Sequence, residues 1–213
     1  MRYAREMLRI LGKSSSINVR KVLWCCAELG LGHDHEPWGS GFRSTQTDEF
    51  RRLNPNALVP VIEDDGFVLW ESNTICRYLA SRHGGGQLLP ADPAARARVE
   101  QWMDWQATEL NNAWRYAFMA LVRHSPAHGD ADALAASVAN WNRHMQILDA
   151  QLDKTGAHAA GADFTLADIV LGLSTNRWFM TPMERPRLPA VEAYYERLSQ
   201  RPAFLQHGRN GTP

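Results

Sequence analysis

Apolar residues change their spacing about halfway along the chain. Residues 7–11 (MLRIL) form a short apolar run that predicts a buried strand. Apolar residues within 18–29 recur every three or four positions, as on one face of a helix. Beyond residue 93 the strand-like runs disappear and only the helical spacing remains. The pattern therefore predicts an α/β half followed by an all-helical half.

The first half is predicted to alternate strands with helices. After the first strand and helix we expect a strand at 35–38 and a short helix at 48–53, which ends before Asn54-Pro55. A hairpin with the turn Asp64-Asp65-Gly66 follows, and a helix begins at Glu71-Ser72. A parallel, right-handed strand–helix–strand crossover followed by a hairpin and a helix is the order of a thioredoxin-like domain.

The second half is predicted to be entirely helical. Residues 83–93 (HGGGQLLPADP) are rich in glycine and proline and indicate a linker, so the two domains are expected at 1–86 and 87–213. The expected helices are 94–122, a pattern over 134–152, one from the capping-box pattern Thr165–Asp168 to about residue 178, and one from Pro189 that ends at Arg201-Pro202. The polar tail from Gln206 is expected to fray.

Charge and hydropathy narrow the possible partners. The 213 residues carry 23 Lys+Arg and 23 Asp+Glu, and this net charge of zero argues against a nucleic-acid or anionic-membrane partner. No apolar run approaches the roughly 20 residues that a membrane-spanning helix needs. Residues 1–12 have too short an apolar core for a secretory signal. We therefore expect a cytoplasmic protein with no membrane partner.

Neither the cysteines nor the histidines form a pattern that indicates chemistry. Cys25, Cys26 and Cys76 fall inside predicted helices, away from the helix start where a thiolate is stabilised, so we expect them to be packing residues. Three cysteines, two of them adjacent, provide no disulfide framework, which is typical of a reducing compartment. The histidine pairs have no nearby cysteine or carboxylate cluster, so we expect no metal site.

Two short motifs around the hairpin indicate a ligand site. Val59-Pro60 places a proline at the head of a strand, and a cis bond there would turn the backbone N–H and C=O of Val59 outward to pair with a peptide-like ligand. Glu71-Ser72 stands at a helix start, where N–H groups favour a carboxylate and Glu71 could bind an ammonium group. A trans proline at a strand edge and a serine that only caps the helix are the alternatives. Together the motifs fit a small peptide with a zwitterionic end.

The stretch 54–80 (NPNALVPVIEDDGFVLWESNTICRYLA) resembles the thioredoxin-like half of a glutathione transferase. Val-Pro before a strand and Glu-Ser at the next helix carry the resemblance, and the α/β half, linker and all-helical half extend it over about residues 7–205. The chain is similar to the serine-type, theta-, phi- and nu-like bacterial branch of that superfamily. The resemblance implies that glutathione is the co-substrate, that the protein is a homodimer and that no metal is required.

Ser16 is the expected partner of the glutathione sulfur. A thiol with a pKa of about 8.5 is only a few per cent ionised at pH 7, and a hydroxyl donor at a helix start lowers that pKa. Ser14 and Ser15 compete for this role, and a pure capping role is the other alternative. Ser16 followed by Lys21 and Val22 matches the spacing of the family, and Asn18 resembles an asparagine that faces the sulfur in phi- and nu-like members.

The resemblance assigns the rest of the glutathione site. Val59 and Pro60 would bind the cysteinyl backbone, and Glu71 and Ser72 would bind the γ-glutamyl end. The usual His-Lys position for the glycyl carboxylate reads Thr45-Gln46, so Gln46 is the candidate and Arg43 the alternative. A hydrophobic electrophile would lie between the halves, and its candidate pocket residues are Trp114, Tyr116, Phe118, Met119 and Trp178.

The expected reaction is attack of the glutathione thiolate on a hydrophobic electrophile. Peroxide reduction, dehalogenation and ether cleavage at the same site are alternatives, and so is a non-catalytic module that binds glutathione or another ligand. The loop before the first helix contains no cysteine, which argues against the thiol-disulfide branches of the superfamily.

Overall fold

The computed structural model describes residues 7–84 and 86–213. The chain divides after Leu89 into two compact units. The first unit contains the strands, and the second unit is helical.

The first unit is built on a four-stranded sheet within the described residues. Its strands are β1 (Leu8–Leu11), β2 (His33–Glu36), β3 (Val61–Asp64) and β4 (Phe67–Trp70), in the order β2-β1-β3-β4. β2 runs parallel to β1, while β3 is antiparallel to both β1 and β4. The hairpin turn has Asp65 and Gly66 at φ 57° and 81°, as the Asp-Gly pair predicts. The predicted thioredoxin-like order is confirmed.

The position predicted for the second strand, 35–38, was wrong by two residues. β2 has the sequence His-Asp-His-Glu, so it lacks the apolar alternation that marks a half-buried strand, and it forms an edge where polar side chains are tolerated. Trp38 lies beyond the strand and packs in a core cluster with Leu11, Phe50 and Val61. Trp38 is therefore a buried residue of the loop that follows β2, and not part of the strand.

Among its described residues the first unit also contains three helices: α1 (Ile17–Leu29), α2 (Asp48–Leu53) and α3 (Ser72–His83). Phe50 of α2 belongs to the core cluster, whereas α1 and α3 pack against each other.

Cys25, Cys26 and Cys76 are fully buried where α1 and α3 meet, and the Cys25 thiol donates to the Cys76 carbonyl at 3.9 Å. A hydrogen bond with the Cys76 side chain, together with burial, raises the pKa of Cys25 well above its ordinary value. Burial raises the pKa of Cys26 to about 12.

The second unit consists of helices that pack around a buried central one. They are α4 (Pro93–Trp105), α5 (Asn111–Leu121), α6 (Ala131–Thr155), α7 (Leu166–Met180), α8 (Pro189–Leu198) and α9 (Pro202–His207). The central helix, α7, is buried along nearly its whole length. No helix in the described part of the chain is long and apolar enough to cross a membrane.

The single helix predicted at 94–122 is interrupted by a π-turn at Gln106–Leu110, between α4 and α5. The Gln106 side chain is buried, and its amide donates to Asn111 Oδ1 at 2.9 Å and to Ser174 Oγ of α7 at 3.0 Å. Such a polar contact is invisible to hydrophobic periodicity, which reads the segment as continuous.

The end of the second unit also differs from the prediction. α8 ends at Leu198, three residues before the predicted stop at Arg201-Pro202, and Pro202 instead occupies the first turn of α9, where its missing N–H breaks no hydrogen bond. The tail does not simply fray, because Asn176 Nδ2 donates to the Thr212 carbonyl at 2.9 Å.

The capping box predicted at Thr165–Asp168 is present at the start of α7. Asp168 is fully buried and accepts from the backbone N–H groups of Ala159 (2.9 Å) and Thr165 (2.8 Å) and from the Tyr194 hydroxyl (3.0 Å). Burial raises the pKa of Asp168 despite these donors. The carboxylate holds a loop, a helix start and α8 together, so its role is structural.

Candidate active site

The register of the sheet brings three predicted segments to the same edge. Leu11 of β1 pairs with Val61 of β3, and Val61 pairs with Trp70 of β4. The residues that follow Leu11, those that precede Val61 and those that follow Trp70 therefore leave the sheet side by side. These are the loop of residues 12–16, called the serine loop below, the Val59-Pro60 pair and the Glu71-Ser72 pair.

The serine loop is held in place by the backbone of the β2 region. Gly12 N–H donates to the Glu36 carbonyl at 2.8 Å, and Lys13 N–H donates to the Trp38 carbonyl at 2.9 Å. Gly12 has φ 149°, and a Cβ there would lie 2.5 Å from Val19 Cγ2 and 3.0 Å from Val59 Cβ. Glycine is therefore required where the loop passes between α1 and the Val59 segment.

Ser16 is the residue immediately before α1, and its side chain makes no capping hydrogen bond. Its backbone is engaged, since Ser16 N–H donates to the Lys13 carbonyl and its own carbonyl accepts from Arg20 N–H. Ser14 and Ser15 are exposed in the preceding turn, whereas Ser16 is half-buried. The Ser16 hydroxyl is thus held at a helix start without a partner among the described residues, so it is not merely a cap.

Asn18 lies in the first turn of α1 and is half-buried. Within the described part of the chain its side-chain amide makes no hydrogen bond. It therefore has donors to offer at the same helix start as Ser16.

The Val59–Pro60 peptide bond is cis, as the sequence predicted for a ligand-pairing segment. The N–H and C=O of Val59 form no hydrogen bond to any residue that the structure describes. Asn54, which the sequence reasoning treated only as a helix boundary, is buried and donates from Nδ2 to the Leu58 carbonyl at 2.7 Å. It braces the segment that carries Val59, and no sequence spacing marks a contact of that kind.

Glu71 and Ser72 start α3 in an unusual backbone conformation. Glu71 has φ 75° and ψ 106°, a region that non-glycine residues rarely occupy and that is enriched at ligand sites. Its carboxylate is exposed, and the Ser72 side chain is largely buried. Neither side chain has a polar partner among residues 7–84 and 86–213. Both groups are available to a ligand.

A buried contact links the second turn of α1 to the first turn of α3. Lys21 Nζ donates to Asn73 Oδ1 at 3.1 Å, with Lys21 2% exposed and Asn73 9% exposed. Lys21 was noted in the sequence only for its spacing from Ser16. Its partner lies 52 positions away, which spacing alone does not reveal.

The two candidates for the glycyl carboxylate have different surroundings. The Arg43 guanidinium stacks over the Trp38 ring at 3.9 Å and forms ion pairs with Glu36 and Glu49, both at 3.4 Å. Its donors are therefore directed to internal partners.

Gln46 is exposed, and its Oε1 accepts from Arg51 Nη2 at 2.7 Å. This contact uses the acceptor of Gln46 and leaves its amide N–H groups for another ligand. The geometry therefore favours Gln46 over Arg43 for a carboxylate.

The predicted pocket residues in the second unit differ in burial and in the partners they contact. Trp114 is half-buried, lies 5.4 Å from the Phe118 ring and donates to Asn111 Oδ1 at 3.1 Å. Phe118 is 4% exposed and Trp178 is 1% exposed, as expected of core residues.

Tyr116 and Met119 are half-buried on α5. The Tyr116 hydroxyl accepts from Asp130 N–H at 3.0 Å, and the Met119 carbonyl accepts from Ser125 N–H at 3.0 Å. Both contacts lead to the loop that follows α5. The pocket assignment therefore stays a prediction.

No group of three or more His, Cys, Asp or Glu residues in the described ranges is arranged to hold a metal ion.

Comparisons with known proteins point to one family. The glutathione S-transferase N-terminal domain family matches residues 15–82, and the glutathione S-transferase C-terminal domain family matches residues 111–202. Glutathione S-transferase GstB of Escherichia coli K12 is 36% identical over 92% of this chain and 95% of its own sequence. Glutathione S-transferase 3 of Zea mays is 32% identical over 92% of this chain and 91% of its own.

The solved structures include one with a ligand in place. The theta class glutathione S-transferase of Xanthomonas axonopodis pv. citri, with glutathione bound, has a TM-score of 0.87 and 38% sequence identity. The match covers 94% of this chain and 96% of that chain.

Proposed function

This chain belongs to the glutathione S-transferase family, and we propose that the edge formed by Ser16, Val59-Pro60 and Glu71-Ser72 binds glutathione and activates its thiol. The protein is a glutathione transferase, with glutathione as co-substrate. The observation that carries the site is the set of polar groups without partners in the described structure: the Ser16 hydroxyl, the Val59 backbone groups, the Glu71 carboxylate and the Ser72 hydroxyl.

Each group has a role that its chemistry supports. Val59 pairs with the cysteinyl backbone of glutathione, while Ser72 and the α3 start bind the γ-glutamyl carboxylate. Glu71 accepts from the γ-glutamyl ammonium. Gln46, with Arg43 as the alternative, binds the glycyl carboxylate.

Ser16 donates a hydrogen bond to the glutathione sulfur and lowers the pKa of the thiol, with the partial positive charge of the α1 start in support. Asn18 assists at the same helix end. The thiol gives its proton to solvent, and the thiolate then forms a bond to an electrophilic carbon of a hydrophobic substrate. In a substitution the bond from that carbon to its leaving group breaks, and the leaving group departs with the electron pair. Residues 1–86 hold glutathione, and residues 87–213 supply the electrophile pocket. Its candidate lining is Trp114, Tyr116, Phe118, Met119 and Trp178.

The decisive experiment measures the pKa of the bound thiol. Thiolate absorbance is titrated against pH in the wild type, in Ser16→Ala and in the neighbouring control Ser15→Ala. We expect Ser16→Ala to raise the bound pKa by about one to two pH units, the worth of a hydrogen bond to a charged group, with no change in Ser15→Ala. A shift in Ser15→Ala instead would transfer the role to Ser15.

The class of electrophile is decided by turnover. A panel of aryl halides, epoxides, isothiocyanates and hydroperoxides, each with glutathione, separates conjugation from peroxide reduction and dehalogenation. Trp114→Ala is expected to raise the KM of the accepted electrophile and to leave the KM of glutathione unchanged. Equal effects on both would argue against a place for Trp114 in the electrophile pocket.

Dimerisation and location are also part of the proposal. We expect a cytoplasmic homodimer, because the chain resembles family members throughout its two units. Sedimentation equilibrium should give twice the chain mass, and a single chain mass at micromolar concentration would refute the dimer.

A further inference from the structure

Lys21 is a charged side chain in an unfavourable place. It lies five residues after Ser16 on α1 and is only 2% exposed. Burying an ammonium group costs free energy unless hydrogen bonds compensate for the lost water. A methionine or leucine of similar volume would fill the same space without the free-energy cost of removing a charge from water. We therefore look for the role of the ammonium group in the contact that it makes.

The contact joins α1 to the start of α3, and the starts of both helices carry residues of the proposed glutathione site. Lys21 Nζ donates to Asn73 Oδ1 at 3.1 Å. Asn73 is the second residue of α3 and directly follows Ser72. The α1 start carries Ser16, which is assigned to the sulfur, and the α3 start carries the two residues assigned to the γ-glutamyl end.

The α3 start needs such support. Glu71 adopts φ 75°, a conformation that persists only where the surroundings hold it. On the helix side its carbonyl accepts from Ile75 N–H at 2.8 Å. The bond from Lys21 fixes the side chain two residues after Glu71, and so restrains the turn in which Glu71 and Ser72 sit.

We propose that Lys21 is a positioning residue for the γ-glutamyl end of glutathione. Through Asn73 it locks the Glu71-Ser72 turn and fixes its distance from Ser16. The inference rests on the proposed glutathione site and adds to it a residue that need not contact the ligand. It assigns Lys21 to recognition of the amino-acid end and leaves the sulfur chemistry to Ser16.

The test compares variants at both ends of the contact. Lys21→Met keeps an unbranched side chain of similar volume and removes the donor, and Asn73→Ala removes the acceptor. Asn73→Asp keeps an acceptor in place. The matched control is Cys25→Ala, which loosens the same helix pair one turn further along α1, where the Cys25 thiol meets the Cys76 carbonyl. All variants are made in the full chain, and the double variant Lys21→Met/Asn73→Ala closes the cycle.

We expect a split between the two kinetic constants. Lys21→Met and Asn73→Ala should each raise the KM for glutathione about tenfold, with kcat at saturating glutathione within about twofold of the wild type. The double variant should be no worse than either single variant. Asn73→Asp should recover most of the loss, and Cys25→Ala should lower the melting temperature with the glutathione KM unchanged.

Three results would overturn the proposal. They are an unchanged glutathione KM in Asn73→Ala, additive losses in the double variant, and a KM in Cys25→Ala that rises as much as in Lys21→Met. If Lys21→Met does not fold, Asn73→Ala and Asn73→Asp carry the test alone. A wild-type protein that does not bind glutathione would refute the proposed function itself, whereas binding with no effect of the variants would refute only the role of Lys21.

Discussion

At the scale of single residues, Gly12 shows how little room surrounds the site. Its φ of 149° and the neighbouring Val19 and Val59 side chains leave no space for a Cβ. The serine loop and the cis Val59-Pro60 segment touch at this point, so an added methyl group pushes apart the two segments that bind the sulfur and the cysteinyl backbone.

Gly12→Ala should therefore damage both stability and ligand binding. We expect the free energy of unfolding to fall by about 2–4 kcal/mol, from overpacking and an unfavourable φ together, and glutathione affinity to fall at least about tenfold. Denaturant unfolding and titration with glutathione measure the two effects. Gly41→Ala is the control, since Gly41 also has positive φ (88°) but nothing within 4 Å of its Cβ position. Equal losses in both variants would mean that backbone strain, not crowding, is responsible.

The residues that the sequence could identify are those whose identity itself carries the constraint. A proline after Val59 and the Asp65-Gly66 pair each restrict the backbone, and both conformations were observed as predicted. Lys21 and Asn54 were missed as structural contacts, because their partners are set by how separate segments fold together. Spacing along the chain defines a helix face but not the atom that the face meets.

At the scale of elements, ion pairs attach the edge strand β2 to the rest of the sheet. Arg9 on β1 forms ion pairs with Glu36 on β2 and with Glu63 on β3, a cross-strand arrangement that joins three strands. The hydrogen bond from Arg9 holds the pKa of Glu36 below its ordinary value of 4.5. The ionised form is therefore favoured in the folded state. The predicted position of β2 was wrong because this polar strand has no apolar alternation to read.

Replacement of Glu36 by glutamine removes the ion pair with Arg9 and should change how the stability of the fold depends on pH. A folded pKa below the unfolded one means that the stabilisation is present above the unfolded value and is lost as pH falls through the folded value. Glu36→Gln should cost about 1 kcal/mol at pH 7, and this difference should shrink as pH falls below about 4. Urea unfolding of the wild type and of Glu36→Gln at several pH values measures this difference in the free energy of unfolding. Glu49→Gln should change stability by less than about 0.5 kcal/mol, since its pair with Arg43 is exposed; a constant Glu36→Gln penalty down to pH 2 would contradict the ionic origin.

At the scale of the whole molecule, the division into two units was visible in the sequence, because strand-like runs stop where the glycine- and proline-rich stretch begins. The structure divides the chain after Leu89. The sequence located α6 and α8 by their apolar faces and the start of α7 by its capping box, but it missed α9 and the π-turn at Gln106–Leu110. The buried Gln106 amide within that π-turn leaves no mark in the apolar spacing. The spacing of apolar residues also does not identify the second-unit residues that contact an electrophile, because aromatic residues of a core and of a pocket have the same spacing.

Glutathione should stabilise the whole protein through binding to the folded state. At 100 times the dissociation constant the gain is about 2.7 kcal/mol, which corresponds to a rise of roughly 5–10 °C in the melting temperature of a chain of this length. Thermal denaturation with and without glutathione measures it. Cysteinylglycine, which lacks the γ-glutamyl residue, is the control ligand, and Ser72→Ala should weaken the effect. A shift of equal size with cysteinylglycine would argue against the assigned γ-glutamyl contacts.

The burial of all three thiols has a practical consequence for a protein that handles electrophiles. Cys25, Cys26 and Cys76 are inaccessible, and the pKa values of Cys25 and Cys26 are raised, so their reactive thiolates are scarce at neutral pH. The enzyme should resist alkylation by its own substrates, and the native protein should take up no maleimide while the denatured chain takes up three. Mass spectrometry decides this, and modification of the native chain within minutes would contradict it. A single cysteine engineered onto the surface could then carry a fluorescent label without removal of the natural ones.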